Sequence, residues 1–395
     1  MELTSEQRAL RDAVRDVLRR NPPALTAADA GAGADSGGDQ AGLWQLLCDI
    51  GVAGLAVPER FGGAGAGPVE VSVVAEELGR ALAPAPLLGS AVLTTQAILA
   101  SGDKDACERL LPQLADGSAI GALAWTGHAG GWDPDVAACH AVARTGGGWT
   151  LTGAAHYVLD GDRASMLIAA AGMPDGSVGL FEVDLAQPGV DRQACTAMDQ
   201  TRRLAVVRLA AAAEHPLGPP DGPSLGSTAL ARARDLGCIA LSAEQAGAAA
   251  RALELTVAYT GTRVQFGRSI ASFQAIQHRL ASLHALVESA RAMAYRAAEI
   301  AATAAAEVAA QAGIASGHEA NSAAGELPLL AAAAKAYCSE ALAAVAAEMI
   351  QLHGAIGVTW EHDAHRYFKR AHSSGQLFGA PSAHLARIAS AVIDR

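Results

Sequence analysis

The chain has 395 residues, 51% of them apolar and rich in Ala, with a net charge of −11. That length suits two or three packed modules at roughly 100 to 200 residues per domain, and the acidic balance, without a basic stripe interleaved with aromatics, excludes nucleic acid as the main ligand. No run of about 18 apolar residues lacks a charge, so no membrane span is expected, and the start from Met1 to Gln7 lacks the charged and apolar regions of a signal peptide, so the expected compartment is the cytoplasm.

From the N-terminus, Thr4-x-x-Gln7 forms a capping box ahead of apolar positions at helical spacing (Leu10, Val14, Val17, Leu18), which predicts a helix over 4–20. Residues 21–42 are rich in Ala, Gly, Asp and Pro without an apolar period and read as a loop. Helical patterns follow over 43–50, 69–82, 91–99 and 104–114. Near Ser118 the character changes to short, turn-bounded apolar runs at 120–125, 136–144, 149–152, 166–170, 178–183 and 204–209. These predict strands, with Gly146-Gly147-Gly148 as a hairpin turn. After a Pro/Gly-rich linker over 215–224, helical periodicity returns and lasts almost to the end, broken by a loop over 313–328. The Ala-rich stretch 297–312 is helix-forming composition that permits tight helix packing.

The order is therefore helical, then β, then helical, with divisions at 1–118, 119–215 and 224–395. The six cysteines are scattered with no Cys-x-x-Cys pair, which fits reduced, buried thiols and no zinc site.

Two strings carry the chemistry. The first runs from Tyr259 to His278 and contains Arg263, Gln265, Phe266, Gly267, Arg268, Phe273 and Gln274. It places a guanidinium at a helix end, then a Gly-permitted turn, then a new helix start, and a rigid donor fork beside free helix N–H groups suits a pyrophosphate. Taken alone, it is equally a structural turn with a solvated Arg. The second, from Gln351 to Asp363, ends a long helix with Gly354 and Gly357, which let backbone approach a ligand. It is equally a helix cap and loop.

Together, in this order and about 90 residues apart, the strings resemble the acyl-CoA dehydrogenase family, whose usual forms are Arg-x-x-Phe-Gly…Phe-Gln and Gln-x-x-Gly-Gly-x-Gly. The loop from Gly54 to Gly65 looks like the family's N-terminal loop, and lacks the Gly-x-Gly-x-x-Gly spacing of a dinucleotide-binding turn. The resemblance implies an α+β multidomain fold: an N-terminal helical domain, a middle β-barrel-like domain and a C-terminal four-helix bundle. It implies FAD, with Arg263, Gln265, Phe266, Phe273, Gln274, Gln351 and Gly354 at positions that hold its pyrophosphate and adenosine across a subunit contact. The implied reaction removes an α-proton from an acyl-CoA thioester with a carboxylate while the β-hydrogen leaves as hydride to the flavin. An electron-transfer flavoprotein or similar acceptor, and a homo- or hetero-oligomer (dimer or tetramer), come with it.

The chain also departs from the family. Ungapped counting places Phe378-Gly379 where many members carry the catalytic Glu, and Gly237 at the alternative location. Glu244 lies two helical turns beyond Gly237 and is the best remaining carboxylate, either as a relocated base or as a structural Glu in a segment built for close helix packing. Glu361 and Asp363 are weaker candidates, and Asp363 with His353, His362 and His365 matches no metal-ligand spacing. In the middle domain the family's Thr-Glu-Pro segment reads Ala124 to Trp132, leaving Thr126 as a flavin contact, and the following segment places Tyr157 to Leu159 beside the isoalloxazine by position. Three readings follow: a dehydrogenase with Glu244 as base, a non-catalytic or FAD-sharing subunit of a heteromeric dehydrogenase, and a flavin oxidase or monooxygenase on the same fold.

Overall fold

In a computed structural model, residues 2–23, 37–145, 147–218, 225–312 and 322–393 are described. Backbone contacts divide the chain into two compact units: Met1–Leu43, Pro68–Pro84 and Cys238–Arg395 form one, and Trp44–Gly67 with Ala85–Gly237 form the other.

The helical unit starts with α1 (Ser5–Arg20), closed by the expected capping box: the Gln7 amide donates to Thr4 Oγ1 at 3.2 Å, and the Thr4 amide to Gln7 Oε1 at 3.0 Å. α2 (Gly37–Asp49) begins inside the segment expected to be a loop, which corrects that boundary; residues 24–36 lie outside the described part. α3 (Pro68–Ala81) buries ten of its 14 residues, every one from Val71 to Gly79 among them. A Cβ on Gly79 would fall 2.0 Å from the Glu244 carbonyl, and one on Gly247 would fall 2.0 Å from the Glu76 carbonyl, so two helices meet backbone to backbone at glycines that no other residue could replace. The Glu76 carboxylate, buried with α3, accepts from the Tyr295 hydroxyl at 2.6 Å and pairs with Arg291.

The second unit opens with the Gly54–Gly65 loop, whose backbone bonds to itself (Ala64 N to Gly54 O, 2.9 Å; Ala66 N to Leu55 O, 2.8 Å). The helix expected over 91–99 is a π-helical segment (Leu87–Thr94) running into α4 (Thr95–Ala100). Here the Thr94 and Thr95 hydroxyls donate to carbonyls five residues back, which supports the wider turn. α5 (Lys104–Ala115) is capped by Asp103.

The sheet contains β1 (Gly121–Ala124), β2 (Cys139–Ala143), β3 (Trp149–Leu159), β4 (Met166–Gly172), β5 (Val178–Val183), β6 (Val190–Ala194) and β7 (Leu204–Leu217). β4 pairs with both β2 and β5, and β5 with β7, so β4-β2-β3-β7-β5 closes into a ring: the β-barrel-like middle that the family resemblance implied. Leu151, Leu167, Phe181 and Val207 fill its interior. β3 and β7 run longer than expected, and Gly146 of the hairpin turn and 219–224 of the linker lie outside the described residues. β6 was not expected: Asp191, Arg192 and Gln193 break any apolar run, which suits a strand that pairs only with β7.

The C-terminal helices are α6 (Gly226–Thr262), α7 (Gln274–Ala312), α8 (Ser322–His353), α9 (Ala364–Gln376) and α10 (Pro381–Ile393). Residues 313–321 lie outside the described part; α8 starts at Ser322 and carries Pro328 within its early turns, which corrects the expected loop end at 328. There Pro loses one backbone bond, and Arg387 of α10 donates to the Pro328 carbonyl. α8 is long and apolar enough to cross a membrane by composition, but Ala248, Ala252, Val287, Leu342, Met349 and Tyr367 form one packed core around it. The Ala-rich seams let these helices approach closely, as their composition implied.

Candidate active site

Two short strands, β8 (Val264–Gln265) and β9 (Arg268–Ser269), make a hairpin directly after α6. Its two central residues, Phe266 (φ +52°) and Gly267 (φ +77°), both lie in the left-handed region, the geometry of a tight primed turn. Gly267 adopts this freely, while Phe266 does so under strain and stands 92% exposed. The Phe273 ring packs edge-on to Phe266 at 6.1 Å, and the Arg268 guanidinium lies over it at 4.0 Å. Gln274 opens α7, and Arg263, Gln265 and Gln274 are exposed, as is Gln351 near the end of α8. Gly354 (φ +64°) turns the chain out of α8 into a short 3-10 segment, and a Cβ there would meet nothing within 4 Å.

The structure brings the two strings together. Tyr259 of α6 stacks on His353 of α8, centroids 4.3 Å apart, and its hydroxyl donates to the His353 carbonyl at 3.3 Å. His362 also leans on His353, centroids 4.3 Å apart, and its ring meets Tyr259 edge-on at 6.4 Å. His353 Nδ1 lies 2.7 Å from the Met349 carbonyl, which places the ring proton there, and Nε2 finds no hydrogen-bond partner among the described residues. Burial pulls the His353 pKa below the usual imidazole value, against the Met349 bond, so this ring is neutral near pH 7.

The carboxylate candidates separate clearly. Glu244 is 7% exposed and pairs with Arg370, itself 2% exposed, at 2.5 Å. Next to it, the Gln245 amide donates to Ser339 and Ser374 at 3.0 Å each. Glu361 and Asp363 are exposed, and Asp363 sits near Arg366 at 3.4 Å. Among the described residues no group of three or more His, Cys, Asp and Glu side chains is placed to hold a metal ion. Phe378, at the position where a Glu was sought, is 1% exposed with φ +60°.

In the sheet unit, Thr126 is buried and its hydroxyl donates to the Gly131 carbonyl of its own loop. Leu159 is buried too, at the end of β3. The Tyr157 hydroxyl, from a residue with φ +56°, donates to the His128 carbonyl at 3.1 Å, and the His128 and His156 rings meet edge to face at 5.1 Å. Sequence reasoning missed Tyr259 and His353 as the link between the strings, and Arg370 as the partner of Glu244. Each of these pairs is 94 or 126 residues apart in the chain, and no local pattern signals such a meeting.

The arrangement offers side-chain amides, a guanidinium and exposed aromatic faces at one end of the helical unit. That donor set suits the diphosphate and adenosine of a dinucleotide. The profile of the acyl-CoA dehydrogenase C-terminal domain matches residues 226–393, and that of the N-terminal domain matches residues 4–118. The acyl-CoA dehydrogenase IpdE2 of Mycobacterium tuberculosis is 39% identical over 390 residues, covering 98% of this chain and 97% of that protein. Among solved structures, a variant of the Tcur3481-Tcur3483 steroid ACAD aligns with a TM-score of 0.79 at 30% identity over 98% of both chains. The ChsE4-ChsE5 complex of Mycobacterium tuberculosis aligns with 0.80 at 26% identity over 100% of this chain and 99% of that one. This chain belongs to the acyl-CoA dehydrogenase family.

Proposed function

We propose that this chain is the FAD-sharing, non-catalytic subunit of a heteromeric acyl-CoA dehydrogenase that desaturates an acyl-CoA thioester to the 2-enoyl-CoA and passes electrons to an electron-transfer flavoprotein or similar acceptor. The observation that carries this reading is the buried Glu244–Arg370 pair. A carboxylate that must take a proton from a substrate has to reach it, and Glu244 is instead committed to neutralising a buried guanidinium. Phe378 leaves the usual base position without a carboxylate.

Arg263, Gln265, Gln274, Gln351 and Gly354 would hold the pyrophosphate and adenosine, with Phe266 and Phe273 flanking them; Thr126 and Leu159 are flavin contacts by position only. When bound, FAD accepts the hydride equivalent. This chain's share is to fix its adenosine end, while a partner subunit supplies the base. The 92% exposure of Phe266 supports a subunit contact at the hairpin. The division at 1–118, 119–215 and 224–395 and the cytoplasmic setting belong to the same reading. The similarity to the steroid ACAD points to a steroid-derived acyl-CoA as the substrate class.

The test is to purify the chain alone and with a homologous partner, and to follow flavin absorbance on adding a steroid-derived acyl-CoA. A lone chain free of flavin that gains FAD and substrate bleaching on co-expression supports the proposal. Bleaching by the lone chain, abolished in Glu244→Gln, would overturn it in favour of a relocated base.

A further inference from the structure

Lys335 stands in the middle of α8, fully buried, and among the described residues no carboxylate pairs with it. A buried ammonium is costly unless its donors are met. Here three N–H donors meet three oxygens: Ser339 Oγ at 2.9 Å, the Gly375 carbonyl at 2.9 Å and the Gly379 carbonyl at 3.1 Å. The first carbonyl belongs to the last turn of α9 and the second lies within the break between α9 and α10. Between them sits Phe378, a non-glycine residue at φ +60° followed by Gly379 at φ +114°. Such a conformation persists only where its surroundings over-determine it.

Among the described residues, Cys238 of α6 and Cys338 of α8 are the titratable groups that act on this nitrogen. His384 of α10 abuts Gly379, and the Glu244–Arg370 pair is reached through Gln245 and Ser339. Burial draws the Lys335 pKa down to about 8, so the neutral amine is within reach of ordinary conditions. A neutral amine keeps two N–H donors and gains a lone pair. The two carbonyls can take the donors, and the Ser339 hydroxyl meets the lone pair by turning away from the Lys335 carbonyl, to which it otherwise donates at 2.7 Å.

We propose that Lys335 is the positioning residue of the α9–α10 break: its nitrogen ties the Gly375 and Gly379 carbonyls together, fixes Phe378 in its left-handed conformation, and does so with or without its proton. This clamp lies wholly within the helical unit and is independent of the function proposed above.

Hydrogen exchange on the full chain, in the assembly in which it purifies, tests it. In Lys335→Met, an apolar near-isostere, peptides spanning 374–380 should exchange about tenfold or more faster while the middle of α7 is unchanged. In the wild type, protection over 374–380, corrected for intrinsic base catalysis, should hold from about pH 7 to about pH 9.5. Unchanged exchange in Lys335→Met, or a rise spread over all the helices, overturns the clamp. Loss of wild-type protection on crossing about pH 8 overturns its independence of the proton. If Lys335→Met does not fold, Lys335→Gln, whose amide still offers donors, is read in its place: exchange over 374–380 as slow as in the wild type, with no oxygen left unpaired at the break, supports the clamp only if Lys335→Leu, without donors, raises it.

Discussion

The Tyr259 ring stacks on His353 at 4.3 Å with the planes 23° apart, and the tyrosine hydroxyl donates to the backbone carbonyl of the same histidine. One contact thus joins the last turns of α6 to the end of α8, and so joins the Arg263 string to the Gln351 string. If these strings hold one end of a dinucleotide, Tyr259 sets the distance between them. Tyr259→Ala should weaken FAD binding in the assembled protein by about tenfold, since it removes both the stack and the hydrogen bond. Tyr259→Phe keeps the stack and gives up only a 3.3 Å bond, so its effect should stay under about threefold. Fluorescence titration of the apoprotein with FAD measures both.

Arg263 lies one turn beyond Tyr259, its amide still bonded to the Tyr259 carbonyl, and its side chain is exposed. A guanidinium that grips a pyrophosphate contributes about 1.5–3 kcal/mol through charge-assisted hydrogen bonds. Arg263→Ala should therefore raise the dissociation constant for FAD by about ten- to a hundredfold, with no change in melting temperature of the flavin-free chain. Arg263→Lys should restore little of the loss, because a point ammonium lacks the planar fork. Full restoration by Lys would mean that only the charge matters.

The Glu244–Arg370 pair gives a stability test that separates a structural carboxylate from a catalytic one. Both partners are buried, so Glu244→Gln takes a close counter-charge away from a buried guanidinium. The expected cost is about 3–5 kcal/mol, read as a large drop in the denaturation midpoint. Replacing both, in Glu244→Met with Arg370→Met, removes the stranded charge and should recover most of that loss. A Glu244→Gln chain as stable as the wild type would remove the basis for calling this pair structural.

The elements legible in the sequence were those whose signal is local. The capping box at Thr4 and Gln7, the apolar runs of the barrel strands and the Gly-punctuated strings at Arg263 and Gln351 each declare themselves within a few residues. Contacts that span the chain leave no such mark: nothing near Glu244 announces Arg370, and nothing near Tyr259 announces His353. Lys335 was hidden differently. A single lysine in an Ala-rich helix has the same appearance whether it reaches solvent or is buried, and only the three oxygens around its nitrogen distinguish the two. β6 and the early turns of α8 were missed because pairing to β7 and packing against the bundle override weak local preference.

Lys335 also predicts a pH dependence whose sign can be worked out. Its folded pKa lies near about 8, while an unfolded lysine titrates at about 10.4. Between these values the unfolded chain binds one more proton than the folded one, so this residue makes stability rise with pH, by about 1.4 kcal/mol per unit. Its contribution is complete above the unfolded value and is lost as pH falls through about 8. The buried thiols act in the opposite direction over much of the same range: Cys48, Cys107 and Cys139 are pushed up to about 11 by burial and Cys338 to about 12, so the unfolded chain gives up these protons first. The wild-type curve alone therefore falls in alkali, and the lysine is isolated by difference. Denaturation midpoints of wild type and Lys335→Met, measured from about pH 7 to about pH 10, should shift relative to each other in favour of the wild type as pH rises. Parallel curves would mean that Lys335 keeps an ordinary pKa in the folded chain and that its burial is relieved by solvent.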